Sequence, residues 1–341
     1  MAIGNYPNLL SPIDIGPVTL QNRIMSTGHD TLLQNPDGTI SEAYIAYQEA
    51  RARGGTGLIV LQAAAIDEHS RSGASQIRLD SDAVIPGLQA MADAVHRHGT
   101  KIFAQMLQAG REIFESADGS LPVAYSSSAT TGERFRVLPR EMSKTMIGEV
   151  IESYATAARR SLEGGMDGVE IVGNHGNLPA QFLAEAVNKR TDEYGGSLEN
   201  RCRFVIEVAR AVRTEIGNKI AFGLRLSADE LGEGVTPEES MALCRAIDAE
   251  NLVDYFSLVV GNQSNRGSAA HIVAPMSEKT GYVGSYTQAI SQSVHVPVFA
   301  TGRFNTAQSA EDAIVQGQAS VIGMTRALIC DPAMPNKLIE N

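Results

Sequence analysis

Short β-rich apolar segments alternate with amphipathic ones along nearly all of the 341 residues, about eight of each, and this alternation limits the fold more than any single residue does. Parallel strands need long crossover connections, and an amphipathic helix is the usual one. The candidate strands are 23–28, 57–63, 101–107, 168–172, 220–226, 255–260, 297–301 and 319–323. Most are apolar throughout, as suits strands covered on both faces, whereas a sheet with one wet face would alternate. The pattern predicts an α/β fold, a (β/α)8 TIM barrel. A doubly wound open sheet is the rival, but no Gly-x-Gly-x-x-Gly follows any candidate strand.

Between the strands, residues 147–163 place Ile147, Val150, Ile151, Tyr154, Ala158 and Leu162 at helical spacing, ended by Gly164-Gly165. Residues 203–216 and 238–249 read the same way, the latter with Thr236 as N-cap and Pro237 at the first helical position. Residues 13–16 and 18–20 flank a Gly16-Pro17 turn, predicting a β-hairpin that closes the bottom of the barrel. No composition break marks a second domain, so residues 1–341 read as a single domain. The irregular stretch from Gln108 to Ser143, with Ser126-Ser127-Ser128 and Gly132-Glu133-Arg134, has the length of an active-site lid.

Asp and Glu outnumber Lys and Arg by 39 to 28, a net charge of −11 that disfavours nucleic acid and anionic membranes as partners. No run of about 18 apolar residues is present, and the N-terminus, with Asn5, Pro7 and Asn8, lacks a basic flank; a cytoplasmic location is expected. Cys202, Cys244 and Cys330 lie far apart, which predicts buried thiols rather than a disulfide framework or a metal site.

In such a barrel, active sites form at the C-terminal strand ends and phosphate binds beside the loops after strands seven and eight. Those strands end in Thr301-Gly302-Arg303 and Gly323-Met324-Thr325-Arg326. Glycine lets backbone N–H groups approach a phosphate closely, and an arginine fork adds charge-assisted donors. An unpaired Arg225 inside an apolar strand would be costly, so an anion is expected near it.

Residues 188–201, Asn-Lys-Arg-Thr-Asp-Glu-Tyr-Gly-Gly-Ser-Leu-Glu-Asn-Arg, follow a strand ending in Glu170-Ile171-Val172-Gly173-Asn174-His175-Gly176-Asn177. This pairing resembles the old yellow enzyme family of FMN oxidoreductases, whose pattern can be followed from about Leu10 to Lys337. The resemblance implies FMN, with its phosphate held by Gly302, Arg303, Gly323, Met324, Thr325 and Arg326. It places Arg225 near flavin N1, with an internal ion pair as the alternative for that residue, and Gln105 on the pyrimidine edge. Ser26, Thr27 and Gly28 would line the ring, with Ala63 beside them. Gly195, Gly196 and Asn200 read as structural parts of the shared loop.

Ene-reductases of this family usually carry a His, a His or Asn three residues on, and then a proton-donating Tyr. Here those positions are Val172, His175 and Asn177, so ordinary alkene reduction keeps one of three supports. The chain is similar instead to the trimethylamine dehydrogenase branch, in which a strand histidine, here His175, belongs to the active site. His29-Asp30 replaces an apolar or cysteine-bearing stretch beside strand one. Asp30 would hold a substrate ammonium or accept its proton, or else stabilise its loop. With no cysteine before Cys202, the FMN is expected to be noncovalent, and with no Trp an aromatic cage would have to use Tyr or Phe. An iron–sulfur cluster and a second nucleotide-binding domain would belong only to a longer natural chain.

The resemblance thus implies oxidative N-demethylation of an N-methylated amine or betaine-derived amino acid, with His175, Asp30 and His29 catalytic and Val172 and Asn177 facing a small-molecule substrate. The alternatives are an NAD(P)H-dependent ene-reductase or dienoyl-CoA-reductase-like enzyme, and a flavin- or phosphate-binding barrel without redox turnover. If the His175 pKa lies near neutral, turnover is expected to rise as it deprotonates. The electron partner and a homo-oligomeric state stay open.

Overall fold

The computed structural model describes residues 5–73, 76–113 and 123–340. Eight parallel strands close on themselves: β1 (Ile24–Ser26), β2 (Leu58–Ala65), β3 (Lys101–Leu107), β4 (Gly168–Gly173), β5 (Ala221–Asp229), β6 (Tyr255–Val260), β7 (Val298–Thr301) and β8 (Val321–Gly323), with β8 pairing back onto β1. Helices connect them on the outside, and the expected TIM barrel is the fold. The apolar runs follow from this geometry, since β3 to β6 are covered by helices on one side and by the barrel interior on the other.

The barrel floor is plugged. Strands Ile13–Ile15 and Val18–Leu20 form the expected antiparallel hairpin, and Ile15, Val18 and Leu20 pack against Met25, Val60, Phe103, Tyr255, Phe299 and Val321. Tyr255 stacks on Phe299 with ring centroids 4.2 Å apart. Burying this layer leaves only the C-terminal end of the barrel open.

The helices begin where capping chemistry permits rather than where the apolar period starts. Ser143 accepts the N–H of Met146 and starts Lys144–Glu163; Ser197 accepts that of Asn200 and starts Leu198–Ile216, five residues ahead of the expected 203. Thr236 and Glu239 form a reciprocal capping box at Pro237–Ala249.

The 188–201 motif is scaffold. Buried Arg190 pairs with Asp192 and donates to the Ser127 and Met142 carbonyls at 3.1 and 2.7 Å. Arg201 binds Leu183 and Gly196 carbonyls and Glu239. A Cβ on Gly195 would lie 2.3 Å from the Arg190 carbonyl oxygen, so glycine is required there.

The expected lid divides. Residues 114–122 lie outside the described residues, while Ser126, Ser127 and Ser128 are buried, with Ser127 donating to the Gln181 carbonyl at 2.6 Å. This described part braces the chain that follows β4 instead of covering the barrel mouth. The thiol expectation also needs correction: Cys202 and Cys244 are buried between helices, but Cys330 is exposed, because it ends a short helix at the rim. Among the described residues no helix is long and apolar enough to cross a membrane.

Candidate active site

A cavity of about 1050 Å³ opens at the C-terminal strand ends. It is lined by Thr27, Gly28, His29 and Asp30 after β1, by Ala63 of β2 and by Gln105 of β3. Val172, His175 and Asn177 come from β4 and its loop, Arg225 from β5, and Gly302, Arg303, Gly323, Thr325 and Arg326 from the ends of β7 and β8. Two expected residues are not in the lining. Side chains alternate along a strand: Met25 and Val321 point into the barrel, so Ser26 and Met324 turn outward, Met324 to pack beside Ile322 and Leu328.

The glycines keep the wall thin. A Cβ on Gly28 would meet Gln105 Oε1 at 2.6 Å and the Leu61 carbonyl at 2.7 Å; one on Gly323 would meet Thr301 Oγ1 at 2.3 Å. Gly302 is closed off by Val283 at 2.5 Å. Arg303, itself left-handed at φ 60°, donates to the Glu278 carbonyl, and Arg326 donates to the Ala274 carbonyl at 3.0 Å. Among the described residues neither guanidinium has a carboxylate partner and the buried Thr301 hydroxyl has no hydrogen-bond partner. Two cations without counter-ions beside two glycines fit a phosphate group.

On the inner wall, Arg225 donates to Ser257 Oγ at 2.8 Å, while Gln105 and Tyr255 donate to the two oxygens of Glu170 at 2.6 and 3.1 Å. Burial lowers the Arg225 pKa and raises that of Glu170, and each charge opposes the other's shift. Glu170 is therefore the internal anion near Arg225. The sequence signal was present, since Glu170 is the only ionisable residue in an otherwise apolar strand.

His175 has a left-handed backbone, φ 59°, which costs on the order of 1–2 kcal/mol outside glycine. Its Nδ1 lies 3.0 Å from the Gly261 carbonyl oxygen and must donate to it; Nε2 is then the unprotonated nitrogen left for the cavity. Burial pushes its pKa down to about 4, with the Arg225 charge adding to the effect. The shift runs away from neutral pH because desolvation outweighs the carbonyl contact.

His29 departs from the expected catalytic role. Its Nδ1 meets the Thr27 carbonyl at 2.8 Å and its Nε2 the Tyr47 hydroxyl at 2.7 Å, so both nitrogens are consumed in the wall. Asp30 is accessible from the cavity yet walled by protein, which raises its pKa by desolvation, and it has no hydrogen-bond or ion-pair partner among the described residues. A loop-stabilising role for it finds no contact. Asn177 donates to the Asn174 carbonyl at 2.7 Å and weakly accepts from Gln263 at 3.4 Å. Val172, in register with Arg225, leaves an apolar spot. Asn174, Gln263, Tyr282 and Phe304 also line the cavity and were missed, because loop residues carry no periodic signal.

A closed barrel whose open end combines a phosphate-suited rim with a basic, amide-bearing wall defines a flavin-type barrel oxidoreductase. The chain belongs to the NADH:flavin oxidoreductase / NADH oxidase family, whose model matches residues 8–341, and its cofactor is FMN. It is 38% identical over 335 residues to a metal reductase of Desulforamulus reducens, covering 97% of this chain and 48% of that one. It is 34% identical over 338 residues to an N,N-dimethylglycine/sarcosine dehydrogenase of Chromohalobacter salexigens, covering 98% and 48%. The structure of a 2-naphthoyl-CoA reductase bound to 2-naphthoyl-CoA superposes with a TM-score of 0.91 at 30% identity, covering 98% of this chain and 52% of that one. The chain thus spans about half the length of these relatives.

Proposed function

We propose that this protein oxidises an N-methylated amine or N-methylated amino acid. The observation that carries the reading is the 3.0 Å contact of His175 Nδ1 with the Gly261 carbonyl oxygen: a carbonyl only accepts, so Nδ1 carries the proton and the neutral ring offers the cavity a lone pair. A substrate carbonyl needs a donor, whereas an amine N–H needs an acceptor. Asp30 adds a carboxylate without a partner among the described residues, suited to hold an ammonium and to take its proton at a carboxylate oxygen. Val172 supplies an apolar contact for a methyl group, and Asn177 has no ionisable proton to deliver to an alkene carbon.

When bound, FMN supplies the two-electron acceptor for a hydride from the N-methyl carbon. The substrate leaves as an iminium, and water adds to it to give the demethylated amine, formaldehyde and one proton. Arg225, held by Ser257 and with the Glu170 charge opposing its desolvation, would meet negative charge that accumulates on the flavin side; Arg303 and Arg326 would hold the phosphate. The similarity to a dimethylglycine/sarcosine dehydrogenase supports the same reading.

Anaerobic mixing of the FMN-loaded protein with methylated amines and with primary amines tests it. Bleaching of the visible flavin band by the methylated set alone is expected; no bleaching by any amine overturns the proposal. The likeness to a naphthoyl-CoA reductase supports the second reading, a reductase of activated alkenes or thioesters, which requires bleaching by NADPH and reoxidation by cyclohexenone.

A further inference from the structure

His175 and Gly176 are two consecutive left-handed residues, φ 59° and 78°. A turn of this kind leaves its N–H groups without regular partners, and both are taken by side chains at the C-terminal end of β5, Ser227 within the strand and Glu230 just after it. His175 N–H donates to Ser227 Oγ at 3.0 Å, and Gly176 N–H donates to Glu230 Oε1 at 2.7 Å. The second oxygen of Glu230 accepts from Val235 N–H at 3.0 Å and from Asn262 Nδ2 at 2.8 Å. Asn262 in turn forms an isolated bridge with His175, and a Cβ on Gly176 would lie 2.6 Å from its Oδ1. Glu230 is 1% exposed and does not line the cavity, so it does not touch substrate.

We propose that Glu230 is a positioning residue: its buried carboxylate, through Gly176 N–H and Asn262, holds the left-handed turn that presents His175 Nε2 to the cavity. Three donors converge on its two oxygens, which only a carboxylate can accept in full; a carboxamide would set an NH2 against at least one of them. The network extends outward. Asn262 Oδ1 accepts from Ser264 N–H at 2.6 Å, and Ser264 Oγ donates to Glu112, which Arg111 contacts at 3.2 Å. The charged groups facing Glu230 are Glu112, which pushes its pKa up, and Arg111, which pulls it down; with burial dominant it reaches about 7. Deprotonation near neutral pH therefore completes the set of acceptors. The inference does not depend on which substrate the site oxidises.

The test is 15N-histidine NMR of the FMN-loaded protein, with the His175 signal assigned among the seven histidines by its loss in His175→Ala. Wild type is expected to show a neutral Nδ1–H tautomer. In Glu230→Ala and Glu230→Gln the signal should move toward a tautomer mixture, the bleaching rate at saturating substrate should fall about tenfold or more with KM nearly unchanged, and FMN affinity should stay within about twofold. Should Glu230→Ala not fold, Glu230→Gln decides alone. A His175 tautomer identical to wild type in a folded variant overturns the proposal, whatever the outcome with amines.

Discussion

Gln105 Nε2 donates to Glu170 Oε1 across the paired strands β3 and β4 at 2.6 Å. The bond fixes which end of the carboxamide faces which way: the NH2 turns to Glu170, and Oε1 turns toward Gly28, where an added Cβ would lie 2.6 Å away. Glu170 thus both orients an amide of the cavity wall and offsets the charge of Arg225.

Removing this carboxylate takes away the negative charge that opposes the desolvation of Arg225. It also leaves the Gln105 and Tyr255 donors without their buried acceptor, and the loss of these bonds and of the longer-range attraction to Arg225 costs on the order of 1–3 kcal/mol. Glu170→Ala is expected to lower apo-protein stability by that order in urea unfolding, with Glu170→Gln intermediate because it keeps one oxygen for Tyr255. An unchanged unfolding midpoint in Glu170→Ala would show that Arg225 draws its compensation elsewhere.

Glycine at 28 is demanded by two walls, the movable Gln105 and the fixed Leu61 carbonyl at 2.7 Å. Gly28→Ala should therefore destabilise the fold by about 1–3 kcal/mol and weaken FMN binding by displacing Gln105. Fluorescence titration with FMN checks the second effect; affinity equal to wild type refutes it.

The barrel was legible because eight apolar runs, each buried on both faces, have few other solutions. The glycine–arginine ends of β7 and β8 were legible for the same reason, since strand ends determine which residues reach the mouth. Other features depended on atoms that a sequence does not order. Whether Ser26 or Thr27 faces the cavity is a matter of strand phase, and three-residue β1 gives little pattern from which to read it. The loss of both His29 nitrogens needed Tyr47, eighteen positions away, to be placed beside it. Glu230 and Glu112 sit in loops without period, and only burial distinguishes them from surface acids.

Asp30 offers a charge to the substrate and has no structural partner to lose among the described residues. Asp30→Asn should raise KM for cationic methylamines about 5- to 30-fold, the equivalent of ~1–2 kcal/mol, and change kcat far less, because the lost attraction is uniform between ground and transition states. The fold should be unaffected in thermal unfolding. A fall in kcat with unchanged KM would show that taking the substrate's proton, not holding its charge, is the step that Asp30 limits.

His175 and Glu230 titrate with opposite consequences in the same pH window. The unfolded chain protonates His175 near its ordinary value of 6.5, whereas the folded protein resists until about 4. That contribution to stability is present in full above 6.5 and is lost as pH falls toward 4. For Glu230 the unfolded carboxyl ionises near 4.5, whereas the folded one keeps its proton until about 7, so stability is greatest below 4.5 and is lost as pH rises toward 7. Each term is on the order of 3 kcal/mol, and in the wild type they largely cancel. Substitution separates them. Measured against wild type, the stability lost in His175→Ala should shrink as pH falls from 7 to 5, and that lost in Glu230→Gln should shrink as pH rises over the same range. Guanidinium unfolding at three pH values distinguishes the two slopes; parallel slopes for both variants would mean that neither residue holds its charge state against the solvent.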